Sequence, residues 1–325
     1  MRKIRHGELS NMLPPCFHLE GLGEKGRKKS EAGTICQKFH TGFNLRLPCV
    51  LSGADGREDF LVYAGSLSRP LCCFGIAIEP KDMEDMLEAC EEGGIAVLRK
   101  EGLLLYGRGE QFLLDVGNEK SFVRKDLSIP MEQEPKADSS LPGSLERLTG
   151  VSEKEEVRRF FRKEQEKGIW EDRMGIPWDG EFRKYAAFLA GQKVLSLERG
   201  RTDWWKEPAD YLAGRGKGLT PGGDDILLGY GAVLMAAGSS EGFCLSQYMA
   251  DMLGSRTTVV SQAYFKALAS GYVNEDFRRL LLYLSGREKG DMEKAVTQIK
   301  ALGHTSGHDT LFGAWMALEW LAKML

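Results

Sequence analysis

The chain has 325 residues, of which 42% are hydrophobic and 28% are charged, and its formal net charge is −3. This composition is typical of a globular protein with a sizeable core and excludes a disordered or low-complexity chain. Acidic and basic residues nearly balance, which excludes a general attraction to nucleic acid, so any affinity for anions must be local.

The cysteines and the first residues of the chain indicate its compartment. The seven cysteines are scattered, and Cys72 and Cys73 are adjacent, which is not a disulfide framework and favours a reducing environment. Pro14 and Pro15 stand where an export signal would need an apolar run, and no apolar stretch reaches the roughly 20 residues of a membrane span. We therefore expect a cytoplasmic protein with neither a membrane nor a nucleic-acid partner.

The first part of the chain has the pattern of short strands. Short β-branched and aromatic runs alternate with turn residues, which is typical of antiparallel strands. These runs cover residues 43–47, 60–63, 73–78, 94–98, 103–106 and 112–115. Glycines at 52–56 and 100–102 indicate hairpin turns, and the pattern at 82–92 indicates a helix. Residues 1–130 are predicted to form an antiparallel β-rich domain.

A polar stretch containing Pro135 and Pro142 predicts a linker over residues 131–143. Beyond it, the apolar residues recur with a helical period. The predicted helices cover residues 153–167, 181–198, 204–213, 224–237, 245–270, 274–285, 292–302 and 310–325. The predicted fold is therefore α+β, with the β-rich domain packed against an all-helical domain over residues 144–325.

A first glycine-rich motif, GRGKGLTPGGDD at residues 214–225, precedes an apolar helix. Thr220 suits the N-cap, and Pro221 suits the first helical position, where a missing N–H costs nothing. Gly222 and Gly223 are poor helix formers, because each makes a helix less stable by about 1 kcal/mol than Ala would. Their presence in the first turn therefore needs an explanation. Our hypothesis is that they let an anion approach free N–H groups at the positive end of the helix dipole.

Charged residues flank and end this motif. Arg215 and Lys217 could add full positive charge to an anion site. Asp224 and Asp225 would repel a phosphate unless a cation lay between them, so we predict that they hold Mg²⁺. The alternative interpretation is that both carboxylates only complement the helix dipole.

A second motif, GHTSGHD at residues 303–309, leads into the final helix. Ser306 and Asp309 have the spacing of a capping box. His304 and His308 add two imidazoles beside the helix start, a setting suited to proton transfer or oxyanion binding. We predict that His304 moves a proton.

The two motifs share a pattern. Residues 223–229 and 307–313 both read Gly-x-Asp-x-Leu-apolar-Gly, which indicates a weak internal repeat, although chance similarity of two capped helices is an alternative. The glycine in each second turn would let the two helices pack closely. Asp225 and Asp309 would then point to one place.

A third motif, SRTT at residues 255–258, precedes Ser261. Thr257, Thr258 and Ser261 fall within one helical turn and, with Arg256, could bind an oxyanion. The alternative is that Ser255 caps a helix and the hydroxyls bond back to helix carbonyls.

Together and in this order, the three motifs resemble the family of the AllH-type subunit of oxamate carbamoyltransferase. The positions that match are Gly222, Gly223, Asp224, Asp225, Thr257, Ser261, His304, Thr305, Ser306 and Asp309. The resemblance implies a complex of allantoin degradation, a route of purine catabolism, that converts oxalurate and phosphate to oxamate and carbamoyl phosphate. It also implies partner subunits of the FdrA and AllG types.

The sequence thus leads to a specific set of site residues. We predict catalytic roles for His304, Asp225 and Asp309. The predicted substrate-binding residues are Arg215, Lys217, Gly218, Thr220, Gly222, Gly223, Arg256, Thr257, Thr258, Ser261, Thr305 and Ser306. The leading expectation is a carbamoyltransferase subunit acting on small anionic carboxylate, ureido or phosphate compounds. The alternative is a non-catalytic metabolite-binding or assembly subunit whose partner performs the chemistry.

Overall fold

The computed structural model describes residues 1–13, 32–49, 58–99, 102–131, 159, 161–163, 173–191, 203–289 and 292–323. The chain divides into two compact units, Met1–Ser128 and Ile129–Leu325. The predicted linker at 131–143 lies, apart from Met131, outside the described residues, as do most of the predicted helix at 153–167 and the turn at 52–56.

Within its described residues, the first unit is a ten-stranded sheet with one helix. Its strands are β1 (Arg2–Ile4), β2 (Gly7–Ser10), β3 (Gly33–Phe39), β4 (Gly42–Cys49), β5 (Glu58–Ser66), β6 (Gly75–Ile78), β7 (Ile95–Arg99), β8 (Gly102–Tyr106), β9 (Gln111–Leu114) and β10 (Phe122–Lys125). The helix α1 (Pro80–Ala89) follows β6. The order across the sheet is β1-β9-β8-β7-β3-β4-β5-β6-β2-β10.

Alternating side chains explain the centre of this sheet. In β4, Phe43, Leu45 and Leu47 are buried and Arg46 is exposed, as the two-residue period of a strand favours, although Asn44 on the face of Arg46 is also buried. The α+β fold class is confirmed. Within the described strands, β1 pairs with β9, β5 with β6 and β2 with β10 in parallel, and the other pairs are antiparallel, so the sheet is mixed.

The second unit is helical. The α-helices among its described residues are α2 (Gly180–Leu189), α3 (Lys206–Leu212), α4 (Gly222–Ala236), α5 (Ser240–Tyr248), α6 (Val259–Ala269), α7 (Glu275–Leu284), α8 (Met292–Lys300) and α9 (Ser306–Lys323). The helices α4 and α9 bury nearly all their residues, including polar residues in their first turns, as core helices do. None of the described helices is both long and apolar enough to cross a membrane.

The prediction of one helix over residues 245–270 is wrong. After α5, the chain forms a π-helical turn at Met249–Leu253 and a 3₁₀ turn at Gly254–Arg256. Thr257 is then extended, and Thr258 begins α6 as its cap by accepting the N–H of Ser261 at 3.1 Å. A threonine that caps a new helix satisfies an otherwise orphaned amide, which explains why the helix restarts here.

Candidate functional site

The starts of α4 and α9 come together because glycines let the two helices cross in backbone contact. A Cβ at Gly229 would lie 1.9 Å from the carbonyl oxygen of Thr310. Reciprocally, a Cβ at Gly313 would lie 2.0 Å from the carbonyl oxygen of Ile226. Neither position admits a larger residue without moving a helix backbone. The predicted close packing through the second-turn glycines is confirmed.

The glycines in the first turns also serve packing. A Cβ at Gly223 would lie 2.0 Å from the carbonyl oxygen of Leu212, the last residue of α3. A Cβ at Gly307 would lie 1.9 Å from the carbonyl oxygen of Ile299, near the end of α8. In each case the helix that precedes the motif ends against the motif's glycine. The repeated pattern in the sequence therefore corresponds to a repeated contact in the fold.

The N–H groups of the first turns are engaged inside the protein. Those that donate to backbone carbonyl oxygens are the N–H groups of Gly223, Asp224, Asp225, Gly307, His308 and Asp309. The hypothesis that free amides at these positions hold an anion is therefore wrong for these six groups. The reason is that the loops before α4 and α9 fold back and supply carbonyl acceptors, for example Arg215 to Gly223 at 2.8 Å.

Two hydroxyls join the helix starts. The Oγ1 of Thr220, before α4, and the Oγ of Ser306, the first residue of α9, lie 2.9 Å apart and share a hydrogen bond. Both side chains line the same cavity as Asp225. The structure thus brings Thr220, Ser306 and Asp225 together.

Asp225 is the acid of this cavity. It is 5% exposed, and its Oδ2 has no hydrogen-bond partner among the described residues. Burial, and next the nearby carboxylate of Asp309, raise its pKa well above the ordinary value, while hydrogen bonds with Ser306 and Thr220 act in the opposite direction. Loss of hydration and a like charge both disfavour the carboxylate. The uncharged acid of Asp225 therefore persists to unusually high pH.

A cavity of about 260 Å³ opens in front of Asp225. Its lining residues are Thr220, Asp225, Leu228, Tyr264, Leu268, Tyr272, Val273, Asn274, Phe277, Leu302, Gly303, Ser306 and Thr310. Asp225, Thr220 and Ser306 are polar groups of the two helix starts, whereas α6 and α7 contribute Leu268 and Phe277. No lysine, arginine or histidine is among the described residues that line it. The cavity thus combines an acid of raised pKa with apolar side chains.

Asp224 has a different environment from its neighbour Asp225. It is fully buried, and it accepts hydrogen bonds from the N–H of Gly214 at 2.7 Å and from the hydroxyl of Thr257. Burial raises its pKa, and the hydrogen bonds from Gly214 and Thr257 oppose this effect. Asp224 therefore fastens the loop before α4 and the turn before α6 to the first turn of α4.

Asp309, the repeat counterpart of Asp225, also binds backbone. The N–H of Gly175 lies 3.1 Å from both of its carboxylate oxygens. Burial raises its pKa to about 7, although the bonds from Gly175 and Thr305 oppose the shift. A Cβ at Gly175 would lie 2.6 Å from Thr305 Oγ1, so a larger residue there would displace that side chain. The two equivalent carboxyl groups thus differ in what they face, a cavity for Asp225 and a chain segment for Asp309.

The geometry fits Mg²⁺ poorly. Mg²⁺ takes oxygen ligands in a near-octahedral arrangement. Both oxygens of Asp224 already accept hydrogen bonds, and the described residues contain no group of three or more His, Cys, Asp or Glu side chains that could hold a metal ion. The Mg²⁺ site at Asp224 and Asp225 stays a prediction.

The predicted basic residues lie outside the cavity lining. The Arg215 guanidinium stacks over the Tyr211 ring, 3.8 Å from its centroid. Arg256 is exposed and forms an ion pair with Asp210 at 2.6 Å. Lys217 is exposed. These side chains hold or surround the loop before α4, and their predicted contact with a ligand stays a prediction.

The remaining predicted residues are near the helix starts but not in the lining. His304 and Gly218 are exposed. Thr258 donates its hydroxyl to the carbonyl of Leu219, which ties the start of α6 to the loop before α4. Thr305 contacts Gly175 and Asp309.

Several residues of the site carry no signal in the sequence. Gly175 lies far from the motifs in the chain, and Tyr264, Leu268, Asn274 and Phe277 line the cavity from α6 and α7. Only the helical period of the apolar residues among them could have suggested burial. Their position at the cavity follows from tertiary packing.

The comparison with known families covers the part of the chain that builds this site. No solved structure matches the chain. The matched segment begins at the end of α3 and extends into α9, so it includes all three motifs and the cavity. Residues 212–318 match the model of the family described as oxamate carbamoyltransferase subunit AllH, so this segment of the chain is similar to that family.

Proposed function

We propose that the chain provides a substrate site for carbamoyl transfer of the oxamate carbamoyltransferase type, in which oxalurate and phosphate give oxamate and carbamoyl phosphate. In this proposal the cavity in front of Asp225 receives the carbamoyl-bearing compound. Partner subunits of the FdrA and AllG types complete the enzyme. The family match over the same residues supports the reaction class.

One observation carries the proposal: Asp225 lines the cavity, and its buried Oδ2 has no partner among the described residues. A buried polar atom without a partner has a free-energy cost of about 1–3 kcal/mol. Such a cost is usual where a ligand supplies the missing hydrogen bond. A perturbed acid in a cleft is also a common feature of catalytic sites.

The chemistry requires one proton to move. A phosphate oxygen forms a bond to the carbamoyl carbon, and the bond from that carbon to the amide nitrogen of oxalurate breaks. The proton of hydrogen phosphate ends on the nitrogen of oxamate. An uncharged Asp225 can give a proton to the departing nitrogen and regain one from phosphate, which is general acid–base catalysis. His304, exposed at the start of α9, is the second candidate for this transfer.

A second candidate function is a metabolite-binding or assembly subunit whose partner performs the chemistry. The cavity lining favours it in one respect, since the described lining residues include no cation to meet the charge of phosphate. In this version, phosphate and the reacting bond would lie in a partner subunit. The chain would then hold one substrate and position it.

An assay separates the two. The purified chain is tested alone and with the two partner subunits for carbamoyl phosphate formed from oxalurate in the presence of phosphate. We expect Asp225→Asn to lower kcat in the complex by about 100-fold, since an amide cannot transfer a proton. His304→Ala is tested in parallel.

Asp276→Asn is the matched control. Asp276 is a buried acid of the same unit with an unpartnered oxygen among the described residues, but it does not line the cavity. We expect its kcat to stay near the parent value. If Asp225→Asn and His304→Ala both match the parent in an active complex, the catalytic role is excluded and the assembly role is favoured.

A further inference from the structure

We propose that Tyr264 and Asn274 bind the carboxylate of the substrate and thereby select ureido compounds that carry such a group. The inference rests on the proposed carbamoyl transfer and names the residues that recognise its substrate. Neither residue belongs to the three sequence motifs, and both line the cavity from the side of α6 and α7. The position of the two side chains, their donor groups and the charges around them carry the inference.

Tyr264 and Asn274 each face the cavity together with an apolar neighbour one helical turn further along. Tyr264 lies four residues before Leu268 on α6, and Asn274, the N-cap of α7, lies three residues before Phe277. Residues three or four apart are neighbours on a helix surface. All four side chains line the cavity, so the same helical faces that close it with apolar groups also present the phenol and the amide.

The turn between α6 and α7 brings the two side chains together. Gly271 has a φ of 83°, a left-handed conformation that favours glycine. Its N–H donates to the carbonyl of Leu268 at 2.8 Å, and the N–H of Tyr272 donates to the carbonyl of Ala267 at 2.8 Å. This is the Schellman pattern, which ends a helix in a defined geometry. The position of Asn274 beside α6 therefore follows from a fixed turn.

The phenol and the amide are hydrogen-bond donors in contact with each other. Asn274 Nδ2 donates to the hydroxyl oxygen of Tyr264 at 3.4 Å. This distance exceeds the roughly 2.7–3.2 Å of ordinary hydrogen bonds, so a ligand oxygen can replace the contact at low cost. The contact uses one N–H of the amide and does not use the phenol O–H. A carboxylate accepts several hydrogen bonds at once, and its charge strengthens each of them.

The starts of α4 and α9 suit the uncharged ureido end better than the carboxylate. Thr310 donates its hydroxyl to the carbonyl of Ser306 at 2.8 Å, so this donor already serves its own helix. Asp225 and Asp309 place two acid groups there, and the described lining contains no lysine, arginine or histidine. A carboxylate beside acids and without a counter-charge is unfavourable. The carboxylate end of the substrate is thus left to α6 and α7.

The acids that follow Asn274 in the chain do not face the cavity. Neither Glu275 nor Asp276 is among the described residues that line it. Glu275 forms an ion pair with Arg279 at 2.7 Å, and the Oδ1 of Asp276 accepts the N–H of Phe277 at 2.8 Å. A carboxylate at this side of the cavity therefore meets neutral donors without a like charge in the lining.

The test compares two ligands that differ only at the proposed contact. Oxalurate carries the carboxylate, and oxaluramide, its neutral amide, carries a carboxamide of nearly the same shape in that place. The Kd of each ligand for the full chain is measured by isothermal titration calorimetry, first with the parent and then with two variants.

Tyr264→Phe removes the O–H and keeps the ring. We expect the Kd of oxalurate to rise at least about tenfold and that of oxaluramide no more than about threefold, because hydrogen bonds to a charged acceptor are the stronger ones. Tyr230→Phe is the matched control, since that hydroxyl donates to the carbonyl of Leu189 at 3.1 Å and does not line the cavity. It should leave both Kd values unchanged. An unchanged Kd of oxalurate in Tyr264→Phe would overturn the proposal.

Asn274→Asp places a negative charge against the ligand carboxylate. Aspartate caps a helix as well as asparagine does, so the variant should fold, which circular dichroism checks. We expect the Kd of oxalurate to rise at least about tenfold while that of oxaluramide stays within about threefold. A residue with a merely structural role would not distinguish the two ligands. Equal changes for both ligands would therefore contradict the proposal.

Failure of the inference can be told apart from failure of the proposed function. If the assembled complex turns over oxalurate with the parent KM in both Tyr264→Phe and Asn274→Asp, only the assignment of these two residues fails. If the chain binds oxalurate through them but the complex forms no carbamoyl phosphate, only the carbamoyl transfer fails. A parent chain that does not bind oxalurate, alone or in the complex, would contradict both.

Discussion

Three buried acids at two helix starts differ in what their oxygens contact. Asp224 binds Gly214 and Thr257, and Asp309 binds Gly175, whereas Asp225 borders the cavity. The sequence could group them but could not separate their roles. Adjacent residues of a helix point about 100° apart, so Asp224 and Asp225 face different surroundings that only the tertiary fold defines.

The Asp224 contact predicts the effect of removing one hydroxyl. Thr257→Val deletes a hydrogen bond to a fully buried carboxylate and leaves that oxygen without this donor. We expect the free energy of unfolding to fall by about 1–3 kcal/mol in urea titrations. Thr297→Val is the control, because that hydroxyl is exposed and bonds only to Glu293 of its own helix. A loss no larger than in Thr297→Val would show that the contact is not stabilising.

The crossing of α4 and α9 predicts a large effect of a single methyl group. Gly229→Ala would place a Cβ 1.9 Å from the Thr310 carbonyl oxygen, so the helices must separate. We expect a loss of about 3 kcal/mol or more, near the upper end of overpacking effects, measured by chemical denaturation. Gly180→Ala, in α2 with open space around the added Cβ, should be neutral or slightly stabilising. Equal stability of the two variants would contradict the close crossing.

Much of this helical arrangement could be predicted from the sequence. The shared Gly-x-Asp-x-Leu-apolar-Gly pattern predicted the close contact of α4 and α9, because only glycine permits backbone contact between helices. The interruption between α5 and α6 could not be predicted in the same way, since Gly254 and the following polar residues also fit a continuous helix at low cost. The role of Gly223 and Gly307 in packing, rather than in ligand access, depends on Leu212 and Ile299, which only the fold brings to them.

At the scale of the whole molecule, the fold class could be predicted from the spacing of apolar residues, which recur every two residues in strands and every 3.6 residues in helices. The parallel pairs at the sheet edges did not follow, because β1 and β10 have only three and four residues and pair with strands distant in sequence. The cavity wall from α6 and α7 was missed for a similar reason. Apolar residues on an amphipathic helix do not reveal which neighbour they face.

The buried acids predict how the stability of the whole molecule depends on pH. The pKa of Asp309 is about 7 in the folded protein against 3.8 ordinarily, so the folded state binds its proton more tightly. Raising the pH from about 4 to about 7 therefore lowers the free energy of unfolding. Burial raises the pKa of Asp225, Asp224 and Asp276 in the same direction.

Urea titrations at a series of pH values would measure this dependence. Asp309→Asn keeps an oxygen for the Gly175 amide but cannot titrate, so its stability should fall less steeply between pH of about 4 and 7. An identical slope in Asp309→Asn and the parent would show that this acid does not carry the effect.

The most direct measurement is the ¹³C resonance of the Asp225 side-chain carboxyl, assigned by its loss in Asp225→Asn and followed through pH with and without oxalurate. Burial and the neighbouring Asp309 predict that this carboxyl titrates well above its ordinary pKa, and the proposed binding of the carbamoyl-bearing compound in front of it predicts that the resonance shifts when oxalurate is added. A carboxyl that titrates near its ordinary pKa, or a resonance that oxalurate leaves unmoved, would contradict the account.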